Sequence, residues 1–218
     1  RGFEAEVPNG RWQSEVLHGP KVRIDGKLRK TYLIAFIDDH SRLVPWASFY
    51  PNEQVVSFIS AINKALLIRG LPRKLYTDNG AAFRSKQLEF AMASLQISLI
   101  HARPYSPQGK GKIERFFRRL RDQFLSRRLD LSSLDILNQQ LTRWIEEEYN
   151  AKTHSAIGMT PINRFAMDMK FINFLSPHEA NDELFYAEEK RTVKKDNTFS
   201  FKNVRYEPDA DLRNKKII

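Results

Sequence analysis

Three acidic residues have the type and spacing that metal-dependent chemistry requires. Asp78 stands where a predicted strand over 74–77 ends in an Asn-Gly turn, and 35 residues separate it from Glu114. Glu15 is the only acidic residue in the first predicted strand, residues 11–22, and would complete a carboxylate cluster. Carboxylates in a chain without cysteine suit hard cations such as Mg²⁺ or Mn²⁺. Two such ions about 3.5–4 Å apart can activate the attacking oxygen and stabilise the leaving oxygen at a phosphodiester.

Each of these residues also has a plainer interpretation. Asp78 before Asn-Gly is a common turn former, and Glu114 lies on a predicted helix as one charge among many. Asp38 and Asp39 could be taken as a metal pair, but the Asp-Asp-His-Ser-Arg segment also makes an ordinary polar turn in which Arg42 pairs with either aspartate. His154 is interpreted as structural, because the five histidines of the chain show no metal-ligand spacing.

The positive charge of the chain is concentrated in one segment. The net charge is +10 over 218 residues, and nine Lys or Arg against three acidic residues fall between positions 101 and 130. Such a balance favours a polyanionic partner and predicts salt-sensitive binding to phosphates. The candidate DNA-contact residues are those around the helix that carries Glu114: Gln108, Lys110, Lys112, Arg115, Arg118 and Arg121.

The elements that position these residues follow the order β-β-β-α-β-α-β-α-α. Residues 30–38 read as a strand buried on both faces, residues 43–50 as a third strand, and Asn52 as the N-cap of the first helix. A meander followed by βα units predicts an α/β fold with a mixed sheet flanked by helices. The stretch over 106–121 begins as a Pro/Gly loop and becomes a helix, on which Ile113, Phe116, Phe117, Leu120 and Phe124 fall on one apolar stripe.

The composition changes after Asn150. Loop-rich sequence with Pro161 and Pro177 as breaks runs to about residue 182, and residues 184–207 read as short strands with a hairpin. We therefore expect a core over 1–175 and the beginning of a small β-barrel, truncated at 218, over 176–218. The sequence contains no run of 18 apolar residues, so no transmembrane helix is predicted. A start at Arg1 without an apolar region predicts an excised fragment without a signal peptide.

Five ordered motifs resemble one family. They are W-x-x-E (12–15), F-I-D-D-H-S-R (36–42), T-D-N-G-A-A-F (77–83), Y-S-P-Q-G-K-G-K-I-E-R-F (105–116) and Y-N-x-x-x-H-S-A-I-G-M-T-P (149–161). Together they resemble the D,D-35-E catalytic core of retroviral integrases and bacterial insertion-sequence transposases over roughly residues 8–170. The resemblance implies an RNase H-like fold and a two-metal strand transfer in which a DNA 3′-hydroxyl attacks a target phosphodiester. The trailing segment is similar to the small β-barrel that follows the core in bacterial members.

The resemblance also implies roles for single residues. Asp78 corresponds to the second catalytic carboxylate and Glu114 to the third, while Glu15 falls where the family places its first aspartate. Glu15 is then either a natural variant that still binds metal or an engineered substitution that disables turnover. The implied cofactors are two Mg²⁺ or Mn²⁺ ions. The implied partners are double-stranded DNA, as element ends and target, and further copies of the chain, in the bacterial cytoplasm at the nucleoid.

Two other functions remain open at this point. A metal-dependent nuclease on the same fold would hydrolyse DNA without joining it. A DNA-binding relative with an altered first carboxylate would have no activity, and Glu15 is the residue that favours this alternative.

Overall fold

A mixed five-stranded sheet is the centre of the computed structural model, which describes residues 4–102, 109–176, 191–201 and 204–217. The strands are β1 (Trp12–Ile24), β2 (Lys27–Asp38), β3 (Ala47–Tyr50), β4 (Lys74–Thr77) and β5 (Ser98–His101). They lie in the order β3-β2-β1-β4-β5. The pairs β1–β2 and β2–β3 are antiparallel, whereas β4 is parallel to both β1 and β5. The predicted meander followed by βα units is therefore confirmed.

Among the described residues, five α-helices accompany this sheet. They are α1 (Val55–Arg69), α2 (Lys86–Ser94), α3 (Gly111–Leu120), α4 (Leu134–Arg143) and α5 (Pro161–Met167). Helices α3 and α4 each continue into a π-helical turn, at Arg121–Leu125 and Trp144–Tyr149. Among the described residues, no helix combines the length and apolar character needed to cross a membrane.

The second half of strand β2, from Leu33 to Asp38, is buried on both faces, as its continuous apolar sequence predicts, whereas Lys27–Lys30 are exposed. On one face Phe36 packs against Phe58 of α1, with ring centroids 5.5 Å apart. On the other face Leu33, Ala35 and Ile37 belong to the core that also contains α3. Glu15 lies on this second face, because it pairs with Ala35 across the two strands.

The aromatic stripe of α3 fastens that helix to the sheet and to the end of α4. All five predicted stripe residues are buried: Ile113, Phe116, Phe117, Leu120 and Phe124. The Phe116 ring lies 5.0 Å from that of Tyr149, and the Phe124 ring 5.7 Å from that of Trp144. Because α3 is held by interlocking rings, the residues on its other side have a rigid support.

Two asparagines attach the α4 region to the edge of the sheet. Asn138 accepts a hydrogen bond from Phe49 N at 2.7 Å and donates to Phe49 O at 3.0 Å, so it covers the edge strand β3. Asn150 accepts from Val44 N at 3.0 Å and donates to Val44 O at 3.3 Å. The Tyr-Asn start of the fifth motif is therefore an attachment point, since Tyr149 and Asn150 are both buried.

Three sequence predictions are wrong in detail. Strand β3 begins at Ala47 rather than Leu43. The N-cap of α1 is Gln54 rather than Asn52; the Asn52 side chain accepts hydrogen bonds from Gln54 N and from Ser57 Oγ in the first turn of the helix. The loop-rich stretch after Asn150 contains α5, in which Pro161 is the first helical residue; a missing N–H costs nothing there, so this proline starts a helix instead of breaking one.

Contacts within the chain divide it into two compact units, residues 1–184 and 185–218. In the second unit, β6 (Arg191–Thr192) pairs with β9 (Lys216–Ile217), and β7 (Phe199–Phe201) pairs with β8 (Val204–Tyr206). The predicted hairpin is confirmed, although its turn at 202–203 lies outside the described residues. The small barrel and a boundary at 175 remain predictions.

Candidate active site

The register between β1 and β4 places Glu15 next to Asp78. Trp12 pairs with Leu75 and Gln13 with Tyr76, and continuing this parallel register by two residues sets Glu15 level with Asp78. One ammonium group contacts both side chains: Lys110 Nζ lies 3.5 Å from Glu15 Oε1 and 3.6 Å from Asp78 Oδ2. Two carboxylates separated by more than sixty residues of chain thus meet at one edge of the sheet.

Asp78 is a turn former and a member of this cluster at the same time. Its Oδ1 accepts a hydrogen bond from Gly80 N at 2.8 Å, while Oδ2 faces Lys110. Asn79 donates to Ala102 O at 2.6 Å, which ties the turn to the chain just after β5. Both interpretations of Asp78 are compatible because each uses a different carboxylate oxygen.

Gln13 positions the start of α3 over the face of β1 that carries Glu15. Its Oε1 accepts from Ile113 N at 3.2 Å, which satisfies one of the free N–H groups in the first turn of the helix. Residues 13 and 15 lie on the same face of the strand, because side chains alternate. Glu114, the next residue after Ile113, is exposed on α3. Gln13 is a positioning residue that the sequence analysis missed; a polar side chain two residues from Glu15, on the same face of the strand, is the signal that could have found it.

The electrostatic setting of Glu15 favours an added cation. Burial raises the pKa of Glu15, Lys110 opposes this rise, and the negative charges of Asp78 and Glu114 add to it. Glu15 Oε2 is buried and has no hydrogen-bond partner among the described residues. The carboxylate cluster, defined as Glu15, Asp78 and Glu114, therefore has more negative charge than Lys110 alone compensates.

Asp38 and Asp39 form a polar turn and not a metal pair. The buried Asp39 carboxylate accepts from Ala5 N, Arg11, Gln13 and Lys112 at 2.6–2.8 Å. Burial acts to raise the pKa of Asp39, but the hydrogen bonds from Lys112, Ala5 N and Arg11 outweigh it and the pKa is lowered.

Asp38 is also satisfied by protein donors. Its carboxylate accepts from Asn9 N at 2.9 Å and from Ser41 N at 2.7 Å and Oγ at 2.6 Å. Burial raises the pKa of Asp38 against these hydrogen bonds. Arg42 pairs with Glu4 at 3.3 Å and donates to the Asp39 and His40 carbonyls, so the expected pairing with an aspartate carboxylate is wrong.

The candidate DNA-contact residues divide into three groups. Lys110 and Lys112 point inward, to the carboxylate cluster and to Asp39. Arg115, Arg118 and Arg121 are exposed along α3 and its π-helical extension. Gln108 lies outside the described residues.

The donor set of the carboxylate cluster fits a hard divalent cation. All its donors are carboxylate oxygens, one oxygen of Glu15 is buried with no hydrogen-bond partner in the described part of the chain, and an ammonium already lies against two of the three side chains. In the part of the chain that the structure describes, no three acidic or histidine side chains form a ready-made metal site. Lys110, between Glu15 and Asp78, is the group with which such a cation would compete.

A mixed five-stranded sheet with one acidic residue in its first strand, a second directly after its fourth and a third on the helix after the fifth is the arrangement of an RNase H-like fold. Solved structures agree. The HTLV-2 integrase catalytic core domain in complex with magnesium aligns with a TM-score of 0.54 and 22% identity, covering 76% of this chain and 99% of that one. A simian T-cell lymphotropic virus intasome aligns with a TM-score of 0.57 and 22% identity, covering 94% and 68%.

Sequence comparison assigns the family. Residues 5–107 and residues 95–161 match two models that are both described as an integrase core domain. The transposase for transposon Tn552 of Staphylococcus aureus is 33% identical over 202 residues, covering 83% of this chain and 42% of that protein. The chain belongs to the family of DDE-type integrase and transposase cores, as its motifs predict. It spans less than half the length of the Tn552 transposase.

Proposed function

We propose that this chain is the catalytic core of a DNA transposase or integrase that performs divalent-metal-dependent 3′-end processing and strand transfer. The observation that carries the proposal is the meeting of Glu15 and Asp78 around one ammonium group, under the helix that bears Glu114. The similarity to the Tn552 transposase supports the same reaction class.

In this proposal Glu15, Asp78 and Glu114 are the catalytic metal ligands, and two Mg²⁺ or Mn²⁺ ions are the cofactors. Bound there, the ions would activate the attacking oxygen and stabilise the leaving oxygen of a phosphodiester. The HTLV-2 core, whose structure contains magnesium, supports this choice of ion. The protein contributes a rigid geometry: two strands in register, and a helix whose start Gln13 fastens to β1.

The exposed arginines of α3 form the proposed DNA-contact surface. Arg115, Arg118 and Arg121 follow Glu114 along the helix and would hold backbone phosphates beside the reacting phosphodiester. Lys110 is near enough to the carboxylate cluster to exchange its carboxylate contacts for a phosphate when DNA enters. Lys112, bound to Asp39, supports the start of α3 from within.

Double-stranded DNA and further copies of the chain are the proposed partners. The intasome among the similar structures supports assembly on paired DNA ends. The Staphylococcus relative supports action on bacterial DNA, which would place the protein in the cytoplasm at the nucleoid.

A joining assay tests the proposal. The substrate is a branched oligonucleotide that carries a free 3′-hydroxyl beside the phosphodiester to be attacked, so no particular end sequence is required. Joined product should form only with Mg²⁺ or Mn²⁺. Asp78→Asn should reduce it by at least about a hundredfold, since even outer-shell partners of metal ligands are worth about 10–100-fold. Asp122→Asn, an exposed carboxylate at the end of α3, is the matched control.

The same assay separates the alternatives. Cleaved but never joined DNA would assign the chain to the nucleases. DNA binding without any divalent-metal effect on cleavage or joining would make it a catalytically impaired relative, the alternative that Glu15 favours.

A further inference from the structure

A cavity lined by basic residues lies beside α3. Its volume is about 340 Å³, and four cationic side chains line it: Arg42, Lys112, Arg115 and Arg119. The last three recur at intervals of three and four residues, so they form one stripe of α3. No acidic side chain lines this basic cavity among the described residues.

The positive charge of the basic cavity is only half compensated. Arg42 pairs with Glu4 at 3.3 Å, and Lys112 pairs with Asp39 at 2.6 Å. Arg119, by contrast, donates to the neutral Gln123 amide at 3.0 Å and lies over the Tyr149 ring at 5.2 Å.

Arg115 adds the second uncompensated charge. It is exposed, and within the described ranges it has no acidic partner. Two guanidinium groups next to one cavity without a counter-charge are the arrangement that binds phosphate oxygens, since each presents a planar fork of donors.

The opposite wall supplies neutral donors. Thr153, His154 and Ser155 line the basic cavity from the segment after the π-helical turn of α4. This segment is held in place: His154 N donates to Met159 O at 2.9 Å, and Ala156 N approaches His154 Nδ1 at 3.3 Å. Because Nδ1 accepts that bond, the proton of a neutral imidazole is on Nε2.

The charge state of His154 agrees with this geometry. Burial lowers the pKa of His154, and the positive charges of Arg42, Arg119 and Arg115 lower it further. The wall therefore offers two hydroxyls and one neutral N–H, which donate to an anion without adding charge.

We propose that the basic cavity is a second phosphate-binding site, separate from the carboxylate cluster, that takes backbone phosphates of a DNA strand running along α3. The choice of DNA as ligand rests on the proposed function. Arg115 directly follows Glu114, so a strand held in the cavity passes next to the carboxylate cluster. The cavity also gives a role to the His-Ser pair of the fifth motif and to Arg119, a residue outside the candidate DNA-contact set.

The salt dependence of DNA affinity tests this site. Each lost phosphate contact reduces the slope of log K against log salt by about 0.9. Arg119→Gln should therefore give a slope shallower by about 0.9. Arg128→Gln removes an equal charge from an exposed arginine outside the basic cavity and should leave the slope at the wild-type value.

Two uncharged substitutions protect the test against misfolding, because Arg119 packs on Tyr149. Thr153→Val and Ser155→Ala alter exposed side chains. Each substitution should weaken DNA binding several-fold, because a hydrogen-bond donor is lost. The slope of log K against log salt should stay unchanged, because no charge is lost. Wild-type affinity in both variants, together with a wild-type slope in Arg119→Gln, would overturn the proposal.

An NMR titration with inorganic phosphate tests whether phosphate binds in the basic cavity. Amide resonances of residues 153–155 should shift in the wild-type protein and stay fixed in Arg119→Gln. If phosphate shifts them but none of the variants changes DNA affinity, the site takes a small phosphate compound and the assignment to DNA is wrong. A chain that never joins DNA, yet shows the expected slopes, would contradict the proposed function and leave this site standing.

Discussion

In the proposed function, Glu15 is the residue on which the activity would depend most directly. The motif resemblance implies an aspartate at this position, and the additional methylene of glutamate would move the carboxylate by about the length of one C–C bond. Strand β1 is paired on both sides, with Ala35 of β2 opposite Glu15 and β4 on the other flank, so the backbone has little freedom to compensate. The side chain reaches Lys110 with one oxygen and leaves the other buried without a partner among the described residues.

Shortening this side chain should restore the usual geometry. We expect Glu15→Asp to raise metal-dependent strand transfer by about tenfold to a hundredfold, because a misplacement near 1 Å can cost about 10² in rate. The measurement is the joining assay at saturating Mn²⁺. An unchanged or lower rate would mean that the site is built for glutamate.

Glu15 also makes stability depend on pH. Burial and the neighbouring carboxylates raise its folded-state pKa, so the ionised form destabilises the fold, and stability is lost as the pH rises through that pKa. Glu15→Gln, measured without divalent ions, should therefore melt higher than the wild type at pH 7. The gain should vanish as the pH falls below 4.5, the ordinary value for glutamate. Glu53→Gln, at an exposed position on the surface, should show neither effect.

At the scale of elements, the approach of the chain to α3 depends on one glycine. Gly109 lies directly against the ring of Tyr76, a residue of β4, and a Cβ atom at this position would collide with the phenol oxygen. The neighbouring Gly111 has no atom within 4 Å of such a Cβ in the described structure. The two glycines of the G-K-G motif therefore have different reasons to be glycine, although in the sequence they look equivalent.

The pair provides a matched test. Gly109→Ala should displace Lys110 and the start of α3, with a loss of about 1–3 kcal/mol in the free energy of unfolding and a fall in joining activity. Gly111→Ala lies in the first turn of the helix and should stabilise by about 0.5–1 kcal/mol with activity retained. Equal effects of both substitutions in urea melts would contradict the close packing on Tyr76.

At the scale of the whole molecule, the first unit has a core of its own. One cluster joins β1, β2, β3, α3 and α4, and a smaller cluster packs Leu43 against Phe165 and Ile172. Neither cluster includes a residue beyond 172. We therefore retain the predicted core over 1–175 as a proposal.

Truncation tests that boundary. A chain ending at 175 should keep its cooperative melting transition within a few degrees of the wild type. A chain ending at 160 loses Phe165 and Ile172 and should be destabilised by about 3–5 kcal/mol, the usual cost of removing a large buried aromatic side chain. Calorimetry of the wild type and the two truncated chains measures these differences. Equal melting temperatures of the two truncated chains would show that α5 adds nothing to the core.

The local patterns of the sequence determined much of this protein. The buried β2 strand, the aromatic stripe of α3 and the β-β-β-α-β-α-β order follow from hydrophobic period and turn residues, which act over a few positions. The spacing of 35 residues between Asp78 and Glu114 indicated the candidate site, because a spacing along the chain can be taken directly from the sequence. Pro161 shows the limit of such reading: the same residue ends a helix or begins one, and its neighbours decide which.

Only the tertiary structure decided which charged side chains from distant parts of the chain contact one another. Asp39 is held by Arg11, Gln13 and Lys112, and this excludes it from a metal pair, although Asp38 and Asp39 resemble one in the sequence. Lys110 and Lys112, two alike cations in one motif, contact different carboxylates. The physical reason is that electrostatic energy depends on distance through space and on burial, and strand register and helix packing set both.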